Sequence, residues 1–273
     1  MLAYLTYKWW RMIRFLFPSD PLDARVPDEF FGEQLTALGD AGFSTSVFPE
    51  SALAEGKLLK GIPEGSQVVY RGWMLNAGEY ERLVSKIEEA GASPFTNLGE
   101  YLGTHHLPNW YPLIEDLTPE TRVYPADADL ANELRALGWD AFFVKDYVKS
   151  LKTSVGSIIH DPSQIETVVA EMEKYRGEIE GGICIRRVED YIEETERRYF
   201  VINGRPFAPE ASGEIPEIVR ICAERIPSKF FSVDMIQRRD GVLRVVEVGD
   251  GQVSDLVGWT AERFAKIWVE STQ

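Results

Sequence analysis

The dipeptide Asp240-Gly241 limits the possible folds of this chain most, because it predicts a β-hairpin with a defined pairing of its two strands within the stretch 231–256. A type I′ turn needs two residues with positive φ angles, which glycine adopts freely and aspartate tolerates. With 240 and 241 as the two turn residues, Asp234 lies directly opposite Glu247. Directly paired side chains have Cβ atoms about 4.5–5.5 Å apart, and like charges there destabilise the pair. The pair therefore suggests a bound cation.

Two interpretations of this carboxylate pair stay open from the pairing alone. Hard oxygen ligands suit Mg²⁺, which typically takes one or two carboxylates together with substrate phosphates. Alternatively, the hairpin face is exposed and the two acidic side chains diverge into water. The rest of the chain favours the metal.

The charge of the chain limits its partners. Its 273 residues include 29 Lys and Arg against 44 Asp and Glu, a net charge of −15. This field repels polyanions, so neither nucleic acid nor a membrane surface is expected as a partner. Any anion site must be local. No segment is long and apolar enough to span a membrane.

The cysteines and the N-terminal segment indicate the cellular compartment. Cys184 and Cys222 match no metal-binding or redox spacing, so they are expected to be buried side chains in a reducing cytoplasm. The first residues do not match an export signal, because Lys8, Arg11 and Arg14 interrupt the apolar run. Residues 1–11 are interpreted as an extension upstream of a start at Met12.

The first half of the chain alternates predicted strands with predicted helices. IRFLF, STSVF and QVVYRGWM have the pattern of strands, whereas VPDEFFGEQLTALGDAGF and AGEYERLVSKIEEAGA have that of helices. This alternation predicts a parallel sheet with ligands at the carboxyl ends of its strands. Arg71 lies at such an end and is a candidate substrate-binding residue. A surface salt bridge is the alternative.

Two adjacent histidines follow the second predicted helix. His105 and His106 lie in a predicted helix that Pro108 and Pro112 end. Neighbouring helix positions point about 100° apart, so the histidines are a poor metal pair. One is expected to pack and the other to be solvated, with a substrate role open for His106.

The Pro- and Asp-rich segment 116–130 suggests a domain boundary near 122, between domains 1–122 and 123–273.

The segment AFFVKDYVKSLKTSVGS is the densest cationic, donor-rich region of this acidic chain. In a strand, Lys145, Tyr147 and Lys149 share one face. Lys152 follows in a loop rich in Ser, Thr and Gly, which predicts a phosphate-binding loop. It is not a P-loop, because GxxxxGK[ST] is missing. An edge strand protected by lysines is the alternative, but it does not explain the polar loop.

Further elements complete the second half. PSQIETVVAEMEKYRG is a predicted helix with Ser163 as its N-cap, and GEIPEIVRICAERI is another. GGICIRRVEDY is a predicted strand. ERRYFVINGRPF predicts a second hairpin that turns at Asn203-Gly204, with Glu196 and Arg198 on one face of its first strand.

Taken together, these segments resemble the ATP-grasp superfamily, and within it the RimK-like clade defined by one arginine and two lysines. The resemblance covers most of the chain from Met12 onward, in YRGWMLNAGEYERL, HHLPNWYP, FFVKDYVKS, GGICIRRVED, ETERRYFVINGR and FFSVDMIQRRDGVLRVVEVGDGQVSDL. It implies an α/β (α+β) fold, in which an N-terminal parallel βα domain precedes a two-lobed ATP-binding region with antiparallel sheets. It also implies a ligase that uses ATP and Mg²⁺ to convert a carboxylate to an acylphosphate, which an amine then attacks.

The resemblance implies which residues bind the nucleotide. Lys145 matches the lysine that reaches the α- and β-phosphates, and Lys149 or Lys152 matches its partner in the phosphate loop. A strand that covers adenine is matched by five consecutive residues: Cys184, Ile185, Arg186, Arg187 and Val188.

It also implies the catalytic and metal-binding residues. Glu196 and Arg198 match an acid-x-Arg pair whose arginine meets the γ-phosphate or the acylphosphate. Asp234 and Glu247 match the two metal carboxylates. Two residues after the second acid the family usually has Asn, where this chain has Gly249. Either Asp250 supplies the missing ligand or only one metal is well held.

Three functions remain open. The favoured one is a ligase for a small-molecule or peptide carboxylate and an amine, with Arg71 and His106 on the substrate side. A kinase that stops after phosphorylating its substrate would use the same residues. A nucleotide-binding module without chemistry is supported by Gly249. A dehydrogenase and a protein kinase are disfavoured, because the glycine fingerprint and the HRD and DFG segments are missing.

Overall fold

The computed structural model describes residues 12–55, 59, 61–148, 157–176 and 179–272. The candidates Lys149 and Lys152, and the proposed extension 1–11, lie outside these residues. The chain divides into two compact units: unit 1 comprises Met1–Leu102, Arg197–Val233 and Gly249–Gln273, and unit 2 comprises Gly103–Glu196 and Asp234–Val248. The predicted domain boundary near 122 lies within unit 2 and stays a prediction.

The secondary structure changes from alternating strands and helices to mainly strands. The strands are β1 (Ile13–Pro18), β2 (Ser44–Phe48), β3 (Gln67–Tyr70), β4 (Ser93–Pro94), β5 (Thr121–Tyr124), β6 (Phe142–Lys145), β7 (Ile158–Ile159), β8 (Ile183–Arg187), β9 (Tyr191–Ile202), β10 (Arg205–Phe207), β11 (Phe230–Arg238) and β12 (Leu243–Asp250). The helices are α1 (Gly32–Asp40), α2 (Ser51–Ala54), α3 (Ala77–Glu89), α4 (Leu98–His105), α5 (Leu107–Trp110), α6 (Leu130–Leu137), α7 (Ile165–Arg176), α8 (Glu217–Arg225) and α9 (Ala261–Glu270). Of the helices described, none combines the length and apolar character needed to cross a membrane.

Unit 1 contains the predicted parallel sheet, with strand order β2-β1-β3-β4. Its central strand β1 is buried on both faces: Phe15, Leu16 and Phe17 are all 0% exposed. Consecutive buried residues are typical of a parallel strand that is covered on both sides. Helix α3 begins with a capping box between Asn76 and Glu79, which satisfies N–H groups of its first turn. The predicted βα arrangement is confirmed.

Unit 2 contains an antiparallel sheet of order β5-β8-β6-β7. Helices α6 and α7 contribute Leu134, Val168 and Met172 to its core, where each is fully buried. Strand β8 contributes Ile183 and Ile185 to the same core. The antiparallel sheet predicted for the second half is confirmed.

The lysine-bearing strand is shorter than predicted. Strand β6 ends at Lys145, because the buried Asp146 carboxylate accepts a hydrogen bond from the Val148 backbone N–H at 2.7 Å. Such local side-chain bonds compete with the strand pattern. The expected shared face of Lys145 and Tyr147 within one strand is therefore wrong, and Lys149 lies outside the described residues.

Two helix boundaries also differ from expectation. Asp161, rather than Ser163, caps the turn Pro162–Gln164 that leads into α7, through a hydrogen bond from the Ser163 N–H. Pro108 lies in the first turn of α5 rather than ending a helix, a position where its missing N–H costs little.

The remaining sheet has the order β10-β9-β11-β12 and contains both predicted hairpins. Asn203 and Gly204 have φ angles of 50° and 74°, and Arg205 pairs directly with Ile202. Two positive φ angles in a two-residue turn define type I′. The hairpin predicted from Asn203-Gly204 is confirmed.

The turn at Asp240-Gly241 has a different form. Gly241 has a φ of 89°, but Asn203 is the only non-glycine residue in the described part of the chain with a positive φ. The Gly241 N–H donates to the Arg238 carbonyl and the Arg238 N–H to the Val242 carbonyl. This is a three-residue loop with glycine in the left-handed position. The predicted type I′ turn is therefore wrong. Val242 pairs with Arg238, whereas a two-residue turn would pair it with Arg239.

A β-bulge in β12 compensates for the longer loop. The Gly251 N–H donates to the Phe230 carbonyl. Eight positions separate Phe230 from Arg238 and nine separate Val242 from Gly251, so β12 holds one extra residue. Val245 and Val248 are both buried, with two half-exposed residues between them. β12 therefore contains a bulge between Val242 and Gly251, and bulges re-aim side chains. The predicted pairing of Asp234 with Glu247 stays a prediction.

Candidate functional site

A cleft of about 590 Å³ lies entirely within unit 2. Its walls come from β6, β8, the start of β9, and the β11–β12 hairpin. Six residues singled out from the sequence line it: Lys145, Arg186, Arg187, Val188, Glu196 and Glu247. The structure thus brings together residues that are about 100 positions apart in the chain.

One wall of the cleft is apolar. It is formed by Phe143, Ile158, Val188, Ile236 and Val246. No sequence pattern marked Phe143, Ile158, Ile236 or Val246 as site residues. Only the pairing of β6 with β8, which sets Phe143 opposite Arg186, reveals that Phe143 belongs to the site. Apolar side chains beside cationic groups suit a ring system that carries phosphates.

Lys145 is a buried cation with one half-exposed partner. The residue is 5% exposed, and its Nζ lies 3.4 Å from Oε1 of Glu247. The Glu247 side chain is 47% exposed, so water weakens this ion pair. Burying an ammonium group is costly unless it is well paired. Lys145 is therefore suited to a further anionic partner in the cleft.

Arg186 is a second buried cation. It is 6% exposed, and its guanidinium donates to two neutral acceptors, the Val246 carbonyl and the Thr118 hydroxyl. Its Nε–H is buried and has no hydrogen-bond partner in the described part of the chain. Burial lowers the pKa of Arg186. Burying a guanidinium without an anionic partner is costly, and because Arg186 lines the cleft, an anionic ligand there would offset its charge.

The five-residue segment expected to cover adenine divides into two parts. Cys184 and Ile185 are 0% exposed, and burial raises the pKa of the Cys184 thiol to about 12. Their side chains belong to the core and not to the cleft, whereas Arg186, Arg187 and Val188 line it. Strand alternation did not reveal this, because all positions from 183 to 186 are buried. Cys184 and Cys222 are both buried free thiols, as predicted.

Two further acidic residues line the cleft, and each is paired with an arginine. Glu189 lines it and is held by a two-pronged ion pair, since Arg244 Nε and Nη2 donate to its two oxygens at 3.0 and 3.1 Å. Asp190 pairs with Arg239 at 3.0 Å. Glu189 and Asp190 were not singled out from the sequence, because acids that follow a strand carry no distinctive pattern.

The predicted metal residues have different environments. Asp234 on β11 is 6% exposed, whereas Glu247 lines the cleft. Within the described residues, no three His, Cys, Asp or Glu side chains are grouped so that they could hold a metal. A pair of carboxylates is nevertheless sufficient for Mg²⁺ when phosphates supply further oxygens. The donor chemistry of Asp234 and Glu247 fits such an ion.

Asp250, expected as a possible third ligand, lies in unit 1 and is 0% exposed. Its Oδ1 accepts hydrogen bonds from the backbone N–H and the side-chain amide of Gln252, at 2.9 and 3.2 Å. Burial raises its pKa to about 8, against the opposing effect of these bonds and of Arg71. Asp250 thus lies in the interior of unit 1, and its predicted role as a metal ligand stays a prediction.

The raised pKa of Asp250 leads to a testable pH dependence. Between about pH 4 and pH 8 the folded state holds a proton that the unfolded state has lost. The free energy of unfolding should therefore decrease as the pH rises through this range, by up to a few kcal/mol. Asp250→Asn should flatten this slope, and Asp40→Asn, an exposed control, should not. Urea unfolding at pH 5 and pH 8 measures the difference, and equal slopes in all three proteins would contradict it.

Arg71 has a structural environment. It is 1% exposed, and its Nη1 donates to the carbonyls of Gly251, Gln252 and Ser254 at 2.8 to 3.1 Å. Its Nε and Nη2 both donate to Oε1 of Gln34. Burial lowers its pKa to about 10, so it stays charged at neutral pH. The guanidinium is thus held by groups of unit 1, and the substrate role predicted for Arg71 stays a prediction.

The acid-x-Arg pair is divided between the units. Glu196 lies in unit 2 and lines the cleft, and Arg198 follows two positions later on β9, in unit 1. Arg198 is half-buried, and its Nη1 donates to the Asp255 carbonyl at 2.8 Å. The role predicted for Arg198 at the γ-phosphate stays a prediction.

The two histidines differ in exposure. His105 is 6% exposed. His106 Nε2 lies 3.0 Å from Oε1 of Glu180, and its ring packs edge-on against Tyr147. The expectation that one histidine packs is confirmed, but His106 is hydrogen-bonded within unit 2 rather than freely solvated. Its substrate role stays a prediction.

Comparison with known proteins shows which family of domains the chain resembles. Residues 136–268 match the model of an ATP-grasp domain family, the third family of the clade named for one arginine and two lysines. The resemblance drawn from the sequence is thereby confirmed. Among curated proteins, none matches this chain.

Three solved structures show the same fold. D-cycloserine synthetase DcsG is 13% identical with a TM-score of 0.65, over 96% of this chain and 99% of that chain. D-alanine–D-alanine ligase from Bacillus anthracis, complexed with ATP, is 15% identical with a TM-score of 0.63, over 95% and 96%. The ATP-grasp ligase PsnB, complexed with a minimal precursor, Mg and ADP, is 13% identical with a TM-score of 0.60, over 96% and 98%. The mixed α/β architecture, with one parallel and two antiparallel sheets, is that of these ligases.

Proposed function

We propose that this protein is an ATP- and Mg²⁺-dependent ligase that joins a carboxylate to an amine. The premise is that residues 136–268 match an ATP-grasp domain of the one-arginine, two-lysine clade. The observation that carries this proposal is the pair of incompletely partnered buried cations, Lys145 and Arg186, in the unit 2 cleft. The substrates are small molecules or peptides. We further propose a reducing cytoplasmic setting, which suits the two free buried thiols.

The proposed reaction has two steps. In the first, a carboxylate oxygen of the acid attacks the γ-phosphorus of ATP, the bond from that phosphorus to the bridging oxygen breaks, and ADP leaves. In the second, the amine nitrogen attacks the acyl carbon of the acylphosphate, phosphate leaves with the bonding electrons, and the nitrogen loses a proton to water. The products are an amide, ADP and phosphate.

In this proposal the chain's own residues position the nucleotide and offset its charge. Lys145 donates to phosphate oxygens, and the Arg186 guanidinium offsets their negative charge. The apolar wall at Phe143 and Val188 packs against the adenine ring. Such fixed donors stabilise charge that develops during phosphoryl transfer, and no protein nucleophile is needed.

Asp234 and Glu247 would hold the magnesium ion. The bound ion would offset the negative charge of the phosphates. Arg198 is retained as the residue that meets the γ-phosphate or the acylphosphate, as the family resemblance implies.

A nucleotide-binding module without ligase turnover is the second candidate. The observations that favour it are Gly249 at the position of the usual Asn, and the lack of a third carboxylate beside Asp234 and Glu247 among the described residues. It predicts that ATP binds but that no mixture of acid and amine yields ADP. A kinase predicts ADP and a phosphorylated acid without an amide.

The proposed function is tested first by ligand-dependent stability. Mg²⁺ with a non-hydrolysable ATP analogue at about 100 times its Kd should raise the free energy of unfolding by about 2.7 kcal/mol. No such rise would contradict the ATP site. ADP release and amide formation, followed by mass spectrometry over a panel of acids and amines, then separate a ligase from the other two candidates.

Lys145→Met should weaken binding of the nucleotide analogue without lowering the stability of the ligand-free protein. The protein without ligand should be at least as stable as the wild type, because an incompletely paired buried ammonium is removed. The Mg²⁺-nucleotide analogue should bind about 10- to 100-fold more weakly, because charge-assisted hydrogen bonds are worth about 1.5–3 kcal/mol. Titration calorimetry and thermal unfolding measure both effects. Lys174→Met, at an exposed lysine of α7, is the control, and unchanged binding in Lys145→Met would contradict the phosphate role.

A further inference from the structure

Thr118 supports the unit 2 cleft from inside the fold. It is 1% exposed, and the next residue along the chain, Pro119, lines the cleft. Thr118 is not among the described residues that line it. Its side chain therefore acts on the cleft only through the groups that it contacts.

The Thr118 hydroxyl joins a cation of the cleft to strand β12. Its oxygen accepts a hydrogen bond from Nη2 of Arg186 at 2.6 Å, and its proton is donated to the Val245 carbonyl at 2.7 Å. A hydroxyl has a single proton, so the bond to Val245 leaves the oxygen to accept from the guanidinium. The hydroxyl thus connects Arg186 to Val245.

Arg186 is joined to β12 at the next residue as well, because its Nη1 donates to the Val246 carbonyl. The guanidinium is therefore held at two consecutive positions of β12, directly at Val246 and through Thr118 at Val245. Glu247, the predicted metal ligand, follows Val246 in the chain and lines the cleft together with Arg186. The two contacts place the cation relative to the strand that carries Glu247.

The other surroundings of this guanidinium orient it less. Its Cζ lies 5.8 Å from the centroid of the Trp110 ring, and an aromatic face attracts a cation without fixing the direction of its N–H groups. The Arg186 Nε–H has no hydrogen-bond partner in the described part of the chain. The bonds to Val246 and Thr118 therefore determine the orientation of the guanidinium.

Thr118 is itself held through its backbone. The Val245 N–H donates to the carbonyl of the preceding residue, Leu117, at 2.9 Å, and Nη2 of Arg244 donates to the Thr118 carbonyl. The same arginine holds Glu189, which lines the cleft. Charges that are fixed beforehand stabilise a developing charge without reorganisation, and a fixed Thr118 provides this for Arg186.

From these contacts we infer that Thr118 is a positioning residue of the nucleotide site, which holds the Arg186 guanidinium where its charge offsets that of the phosphates. The inference rests on the proposed ATP-dependent function and adds to it a residue that lies behind the surface of the cleft. Loss of the hydroxyl leaves Nη2 without its acceptor, so the guanidinium is no longer held in this orientation. Nucleotide affinity then falls although every group that lines the cleft is still present.

Two substitutions at Thr118 test the inference. Thr118→Val keeps the branched shape but removes the hydroxyl, and it should weaken binding of Mg²⁺ with a non-hydrolysable ATP analogue by about tenfold. Thr118→Ser keeps the hydroxyl and should restore most of that affinity. Titration calorimetry on the full chain measures binding, and thermal unfolding without ligand shows that each variant is folded. An equal loss in both variants would overturn the inference, because it would come from the lost methyl group.

A double-mutant cycle shows whether Thr118 acts through Arg186. Arg186→Met should weaken binding of the same analogue, and adding Thr118→Val should then change the affinity by less than about twofold. Residues that act independently would instead multiply their losses. A further loss as large as that in the wild type would overturn the inference, as would an Arg186→Met protein that binds like the wild type. If Arg186→Met does not fold, the two Thr118 variants and the control below decide.

Thr195→Val is the matched control. The Thr195 hydroxyl donates to the Ile192 carbonyl at 2.6 Å and accepts from the Gln237 N–H at 2.9 Å, so this variant breaks bonds of the same kind elsewhere in unit 2. It should bind the analogue like the wild type, even where its stability falls. Equal losses of affinity in Thr195→Val and Thr118→Val would show a general loosening of unit 2 and overturn the inference. Stabilisation of the wild type by the analogue separates these failures from failure of the proposed function.

Discussion

Glu247→Gln is expected to abolish the Mg²⁺-dependent part of nucleotide binding and to lower turnover by about 100-fold or more, while the fold stays intact. The side chain lines the unit 2 cleft and is 47% exposed. Its ion pair with Lys145, at 3.4 Å, contributes at most about 1 kcal/mol because one partner is half-exposed. Loss of a charged metal ligand costs far more, since glutamine neutralises no charge on Mg²⁺ and groups that stabilise the transition state are worth about 10²–10³ in rate.

Three measurements separate this effect from simple destabilisation. The midpoint of urea unfolding without ligand should differ little from the wild type. Binding of the ATP analogue should keep its affinity in EDTA but lose its enhancement by Mg²⁺. Glu120→Gln removes the carboxylate of an exposed pair with Arg122 and should behave as the wild type throughout. If Mg²⁺ still strengthens nucleotide binding in Glu247→Gln, the metal role of this carboxylate is wrong.

Local sequence signals predicted much of the fold because the physics behind them is local. The apolar run of β1 and the capping box of α3 depend on neighbouring residues only. Asn203-Gly204 gave the predicted turn, whereas Asp240-Gly241 did not. In the second case the Asp240 carboxylate accepts from the Val242 N–H and from Arg238, and these bonds accompany a three-residue loop.

The candidate site was predicted less completely, because its geometry depends on contacts between distant segments. Lys145, Arg186 and Glu247 were identified from residue type and family resemblance, and the structure places all three on one cleft. The apolar wall was missed because nothing in an apolar strand residue shows which face will line a cavity. The bulge in β12 was equally hidden, since it compensates for a loop that was itself mispredicted.

The hydrogen-bond partners of Arg71 could not be predicted for the same reason. Its place at the end of β3 was predicted, and arginines at such ends often bind ligands. Its acceptors, however, are backbone carbonyls about 180 residues later in the chain. No periodicity or motif near residue 71 contains that information.

Arg71→Ala is therefore expected to destabilise the protein by more than about 3 kcal/mol, the second large effect. Removal of the guanidinium leaves the carbonyls of Gly251 and Ser254, and Oε1 of Gln34, without this donor, whereas the Gln252 carbonyl keeps its bond from the Gly72 N–H. Each buried acceptor without a partner costs about 1–3 kcal/mol, and the contact with the Phe264 ring at 4.8 Å is lost as well. For a chain of this size the melting temperature should fall by about 6–12 °C.

The design of this experiment distinguishes a structural Arg71 from a substrate-binding one. A structural residue predicts that stability falls in the absence of every ligand, whereas a residue that only contacts substrate predicts a normal melting temperature and a raised KM. Arg25→Ala is the matched control, because Arg25 is an exposed arginine of unit 1 whose side chain is 87% exposed, and it should change the melting temperature by less than about 1 °C. If Arg71→Ala melts with the wild type, the carbonyl contacts contribute little, and the substrate role predicted from the end of β3 becomes the better explanation of this arginine.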